Sequence, residues 1–185
     1  MGHHTFDVAR ADKLEDAAAR YRNLSAEELR WALDLTGEET VADLGSGTGF
    51  YTNDVAPEAA QVFAIDVQEG MHDRYREKGL PGNVDLVTSD VADLPFDDGG
   101  IDAAFSTMTY HEFASEAAMA ELARVLRPDG RLVVADWDTD GDGERGPPLD
   151  ERYGLDDAVA ALEAEGFGVE FAAARPETFL VTATR

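Results

Sequence analysis

Cysteine is absent from this chain of 185 residues, which excludes disulfides and thiolate metal sites. Lysine is nearly absent, with only Lys13 and Lys78. Lysine and arginine together number 15 against 39 Asp and Glu, so no basic patch that would grip nucleic acid or an anionic membrane is expected. No apolar run approaches the roughly 18 residues of a transmembrane helix. The opening MGHHTFDVAR has neither an apolar core nor a basic start, so no signal peptide is expected there, and the chain reads as cytoplasmic.

What is present is acid on a hydrophobic framework. The formal net charge is −24, yet 44% of residues are hydrophobic, which points to a folded domain and not a disordered acidic tail. The length suits one domain with a proper core. The acids are spread along the chain, so they read as a solvated, self-repelling surface of the kind associated with halophiles.

The stretch that organises the rest is TVADLGSGTGFYT, residues 40–52. A strand pattern carrying one acid, Asp43, runs into a turn with Gly45, Gly47 and Gly49, and a helix-compatible segment starts at Phe50. Strand, glycine turn and helix make a nucleotide-binding βα unit. The glycines allow backbone to approach a ligand, and the helix start offers free N–H groups. A dinucleotide site needs G-x-G-x-x-G, and here Phe50 holds the place of the last glycine. Asp43 would repel a pyrophosphate but suits a ligand carrying positive charge.

Helices are expected over 11–22 and, after the Ser25/Glu28 capping box, over 25–35. Strands follow at 41–44, 62–66, 84–88, 101–106 and 131–136, with helices between most of them and a turn signal at 127–130. Pro57 ends the helix after the glycine turn. A helix over 155–165 stops at Gly166, and strands at 169–173 and 178–184 are joined too closely for a crossover, so they pair antiparallel. The alternation predicts a doubly wound α/β sheet.

The D-x-G-x-G-x-G pattern of residues 43–49 resembles motif I of class I S-adenosylmethionine-dependent methyltransferases, and the chain from about Leu29 onward is similar to the group containing ubiquinone and menaquinone biosynthesis methyltransferases. The resemblance implies a Rossmann-like seven-stranded sheet in the order 3-2-1-4-5-7-6 with strand 7 antiparallel, preceded by N-terminal helices. It divides the chain into a helical lid, 1–36, and a cofactor domain, 37–185. S-adenosyl-L-methionine is the implied cofactor and a small molecule the implied methyl acceptor, with no metal.

Site residues follow from the same resemblance. Asp66, 21 residues after Gly45, takes the ribose hydroxyls, and Val67 packs on the adenine. Asp90 accepts from the adenine amino group with the Val91 backbone alongside. Thr107 faces the methionyl part, and Ser46, Phe50 and Met71 complete the cofactor wall with Asp43, Gly45, Gly47 and Gly49. Tyr110, His111 and Glu112 stand where substrate-facing residues belong, His111 and Tyr110 being the catalytic candidates and His111 the possible general base. The loop after the fifth strand, GERGPPLDERY, is a candidate lid with Arg145 or Arg152 available to an anionic substrate. DWDTDGDGE matches only the first half of a calcium loop, since Pro147 stands where its last ligand is needed.

Methyl transfer is the leading expectation. A cofactor-binding regulatory or partner-dependent protein is the alternative, and a nicotinamide oxidoreductase is disfavoured by the glycine spacing. A monomer or weak homodimer is expected. The charge generates a first prediction. Melting temperature should rise from low to molar KCl as the Debye length falls from about 10 Å at 0.1 M to about 3 Å at 1 M. A thermal melt that is flat or falling across that range contradicts it.

Overall fold

The computed structural model describes residues 5–185, so His3 and His4 of the opening stretch lie outside the described residues. The chain enters through a 3-10 helix, Val8–Glu15, followed by α1, Ala17–Asn23. The single helix expected over 11–22 is thus broken at Asp16. Its backbone is extended and its carboxylate accepts from the Ala19 amide at 3.1 Å, which starts α1 afresh. α2, Ala26–Leu33, begins as expected, with Ser25 Oγ accepting from the Glu28 amide at 3.1 Å. It ends at Asp34, in left-handed backbone with φ 50°, short of Leu35.

β1, Thr40–Leu44, leads through the glycine turn into α3, Phe50–Val55, which tightens into a 3-10 turn at Pro57. β2, Gln61–Asp66, α4, Glu69–Lys78, and β3, Val84–Thr88, follow. Residues 89–100 cross to β4, Ile101–Thr107, without a helix. A single turn, α5, Tyr110–Phe113, precedes α6, Glu116–Val125. β5, Leu126–Trp137, starts five residues before the expected Arg131. Leu126 pairs with Ile101 and Arg131 with Ala103, so the turn signal at 127–130 bulges from the ladder, with Asp129 at φ 61°. α7, Leu155–Ala164, then leads to β6, Gly168–Ala174, and β7, Thr178–Thr184.

The seven strands form one sheet in the order β3-β2-β1-β4-β5-β7-β6, and β7 runs antiparallel to both its neighbours. Successive strand residues alternate between two cores. Ala42, Leu44, Ala104, Leu132 and Val134 face α6 and α7, where Leu122 and Leu162 meet them. Val41, Ala103, Phe105 and Val133 face α2, α3 and α4. Each such fully buried Leu or Val stabilises by about 1.5–3 kcal/mol. A central sheet covered on both faces leaves the strand ends as the place for polar residues.

Arg152 corrects one expectation. Its side chain is fully enclosed and is not available to a substrate. It donates to the carbonyls of Asp138 at 3.1 Å and Pro147 at 2.9 Å, bonds the Arg145 carbonyl, and pairs with Glu177 at 3.1 Å. Glu177 also accepts from the Gly143 and Glu144 amides, at 3.2 and 3.0 Å. The long loop after β5 is therefore gathered around one guanidinium. Arg152→Ala should lower unfolding free energy by about 1.5–3 kcal/mol, the range for hydrogen bonds to a charged group, and remove hydrogen-exchange protection from residues 138–148. Unchanged protection there would show that the loop holds itself.

Candidate active site

A cavity of about 950 Å³ opens at the carboxyl ends of β1, β2 and β4. The N-terminal segment closes one side, and residues 145–148 with Glu151 close another. That is where ligands bind in open α/β sheets.

The glycine loop is built by its neighbours. The Gly45 and Ser46 amides both donate to the Ile65 carbonyl, at 2.9 and 2.8 Å, and the Gly47 amide donates to Asp66 Oδ2 at 2.9 Å. These three amides are engaged within the protein, so any free N–H groups offered to a ligand belong to the helix start beyond them. Two of the glycines answer to packing. With φ 76°, a Cβ on Gly45 would lie 2.2 Å from Thr109 Cγ2, and with φ 75° one on Gly49 would lie 2.1 Å from the Tyr75 ring.

Asp43 lies behind this loop, away from the cavity lining, and is 1% exposed. Its Oδ2 accepts from Thr52 Oγ1 at 2.5 Å, while Oδ1 is buried with no partner among the described residues. Burial pushes its carboxyl up to about 7, against the pull of the Thr52 bond and of Arg20. Asp43 thus acts on the site through its field and through the loop it backs, and Gly49 likewise through the shape of the turn.

Asp66 does line the cavity. Burial raises its carboxyl, although Oδ1 accepts from the Gln68 amide at 2.8 Å and Oδ2 from Gly47. Each oxygen retains acceptor capacity for one further donor. Gly45, Ser46, Gly47, Phe50, Val67, Met71, Asp90, Val91 and Thr107 also line the cavity, as the strand-end argument requires. Val67 is 49% exposed and Asp90 holds an Asx turn, its Oδ1 accepting from the Ala92 amide at 2.9 Å.

His111 lies on the cavity and is gripped by Asp136 at the end of β5. Its Nδ1 is 3.0 Å from both Asp136 oxygens, and its amide donates to Oδ2 at 2.6 Å. Asp136 is 1% exposed and also accepts from the Trp137 amide at 2.8 Å. A carboxylate can only accept, so Nδ1 carries a proton and Nε2, 4.0 Å from Glu112 Oε1, is the nitrogen that titrates. Burial works against the His111 cation, but the bond to Asp136 and its charge win and the imidazole is raised. Burial pushes the neighbouring Glu112 up to about 7.

Tyr110 is corrected. It is 2% exposed, off the cavity, and packs edge-on against Phe113, Tyr153 and Phe179 at ring distances of 5.6, 5.7 and 6.3 Å. On a one-turn helix adjacent residues point apart, so Tyr110 enters the core while His111 faces the site. Sequence reasoning missed Asp136 as the partner of His111 and Arg20 as part of the cavity wall. Asp136 carried a signal, being an acid at the end of an apolar strand like Asp66. Arg20, one of two arginines on a short polar helix, carried none.

Comparison with known proteins agrees with this geometry. A family described as Methyltransferase domain matches residues 42–134. An S-adenosylmethionine-dependent methyltransferase of known structure from Aquifex aeolicus is 30% identical, covers 97% of this chain and 99% of its own, and superposes with a TM-score of 0.87. A demethylmenaquinone methyltransferase of Corynebacterium kroppenstedtii is 38% identical over 111 residues, 60% of this chain and 47% of its own length. The methyltransferase in a Haloferax volcanii complex with the Trm112 activator covers 98% of this chain and 99% of its own with a TM-score of 0.77 at 18% identity, which speaks for the fold alone. The chain spans half or less of the length of the curated relatives it matches.

The fold and the cavity define a class I methyltransferase. The chain belongs to the methyltransferase-domain family, whose relative of known structure from Aquifex aeolicus is an S-adenosylmethionine-dependent methyltransferase. The residues of this chain fit that cofactor: Asp66 in the cavity wall retains acceptor capacity, and Ser46 Oγ is a buried polar atom in the wall with no partner among the described residues.

Asp43 generates a pH prediction. Its carboxyl, raised from 3.8 to about 7, binds a proton in the folded chain that the unfolded chain lacks. The stability it contributes is full below about pH 4 and is lost as pH rises through about 7. Between pH 7 and pH 5 the wild-type chain should gain about 2 kcal/mol more than Asp43→Asn. Urea unfolding at both pH values with equal gains would contradict this.

Proposed function

We propose that the chain transfers the cofactor's methyl group to a small-molecule acceptor held between the N-terminal segment, 1–36, acting as a lid on the domain 37–185, and the loop after β5. The observation that supports this is one cavity lined both by Asp66 and Asp90, suited to a nucleoside, and by the His111 that Asp136 orients. Bound S-adenosylmethionine supplies a sulfonium-activated methyl, whose displacement requires in-line alignment and no acid for departure.

In this reading Asp66 accepts the ribose hydroxyls, Val67 lies against the adenine, and Asp90 with Val91 meets the adenine amino group. Gly45, Ser46, Gly47, Phe50, Met71 and Thr107 form the rest of the cofactor wall. His111 removes a proton from the acceptor through Nε2, and Asp136 holds its tautomer. Because Asp136 raises the imidazole, His111 is a base only above its raised value, and the rate should climb with pH through that value. No nucleic acid or membrane partner is required, and the acidic chain acts in the cytoplasm as a monomer or weak homodimer.

Calorimetry tests the assignment. Asp66→Ala should weaken S-adenosylmethionine binding by about 1.5–3 kcal/mol. His111→Ala should leave affinity nearly intact and cut the rate by about 10²–10⁴-fold. The demethylmenaquinone methyltransferase relatives make demethylated menaquinone the first acceptor to assay. Unchanged affinity in Asp66→Ala, beside a His111→Ala variant unable to bind cofactor, would invert the site.

A further inference from the structure

We infer that Arg20 is the receptor for the carboxylate of the cofactor's amino-acid tail, which makes α1 part of the cofactor site; this rests on the S-adenosylmethionine assignment. Arg20 reaches from α1 into the wall of the cavity that Ser46, Gly47 and Phe50 also line. Its Nε is buried and has no partner among the described residues. The guanidinium carbon stands 4.7 Å from the centre of the Tyr51 ring and 5.5 Å from that of Phe50.

The helix is fixed at this point, because the Tyr51 hydroxyl bonds the carbonyls of Arg20 and Leu24 at 3.0 and 2.8 Å. Those bonds fix the helix backbone, and the Tyr51 and Phe50 rings carry the guanidinium at the cavity.

Nearby acids do not neutralise it by contact. Asp43 and Glu15 act on Arg20 only through space. Asp43 is bonded to Thr52, and Glu15 is bonded to the Thr48 hydroxyl and to Lys78 Nζ at 2.9 and 3.1 Å. Burial disfavours the Arg20 charge, so the protein holds a cation in the wall of its ligand cavity whose natural complement is an anion from outside the chain. With 39 acids to 15 lysines and arginines, a close carboxylate was readily available, and none is within ion-pair distance among the described residues. The ligand's tail is a zwitterion. Its carboxylate meets Arg20.

The probe is a pair of ligands that differ in one group: S-adenosylhomocysteine, and the 3-aminopropyl thioether of 5′-deoxyadenosine, which keeps the ammonium and lacks the carboxylate. Calorimetric titration of the full chain should show at least a tenfold preference for the first, the scale of a hydrogen-bonded charge. In Arg20→Gln that preference should collapse to within about twofold, with the affinity for the decarboxylated ligand little changed, and Arg20→Lys should recover part of it. Equal wild-type affinities for the two ligands overturn the proposal whether or not a variant folds. So does an Arg20→Gln variant that retains the preference or weakens both ligands alike, because the latter is the behaviour of a packing residue. A wild-type chain that binds neither ligand overturns the cofactor assignment itself, and is told apart from a failure of Arg20 by the loss of both.

Discussion

The bond from the Gly47 amide to the Asp66 carboxylate is the constraint on which the site depends. It joins the loop after β1 to the end of β2, and the Ile65 carbonyl beside it takes the Gly45 and Ser46 amides. Together these bonds fix the loop without help from a ligand, and they aim the remaining acceptor capacity of Asp66 at the cavity. Gly45 and Gly49 make the arrangement possible, since Thr109 and Tyr75 occupy the space that a side chain would need. A ligand therefore meets a preformed wall, and less ordering accompanies its binding.

Three strand ends carry buried carboxylates in three different electrostatic states. Asp43, with one oxygen unpartnered, is pushed up to about 7. Asp66, with two backbone amides, is raised by burial, but the amides oppose the rise. Asp136 receives two amides and an imidazole and in turn raises His111. The same residue type near the ends of strands in one sheet thus provides a support behind the glycine loop, a cavity-facing carboxylate and a tautomer clamp, according to the donors each one meets.

The few cations are used structurally for the most part. Arg152 gathers the loop after β5. Arg175 ties the β6–β7 hairpin to Asn23 and Glu28 of the N-terminal helices. Arg124 holds residues 94–98 through two carbonyls and two acids. Bidentate, planar arginine suits such multi-carbonyl ties in a way that lysine does not, which accords with a chain so poor in lysine. Arg20, by contrast, packs over the Phe50 and Tyr51 rings and makes no ion pair among the described residues.

The sheet was legible because its signals are local and repeated: apolar strands, a glycine turn in place of a dinucleotide pattern, and a hairpin too short to cross over. Asp66, Val67, Asp90, Val91 and Thr107 could be located because strand ends are places that a linear pattern identifies. The break at Asp16 was missed because a capping aspartate inside a helical pattern looks like any exposed acid. By itself the sequence determined the alternation of strands and helices and the antiparallel hairpin, since periodicity and turn chemistry are properties of neighbouring residues, while the strand order and cofactor class were read from the resemblance that residues 43–49 carry. Only the tertiary structure decided that Arg152 is an anchor, that Tyr110 enters the core, and that Asp136 grips His111. Those roles depend on pairs such as Arg152–Glu177 and His111–Asp136, each 25 residues apart, or on which side of a short helix faces the sheet, and such proximity is created by packing.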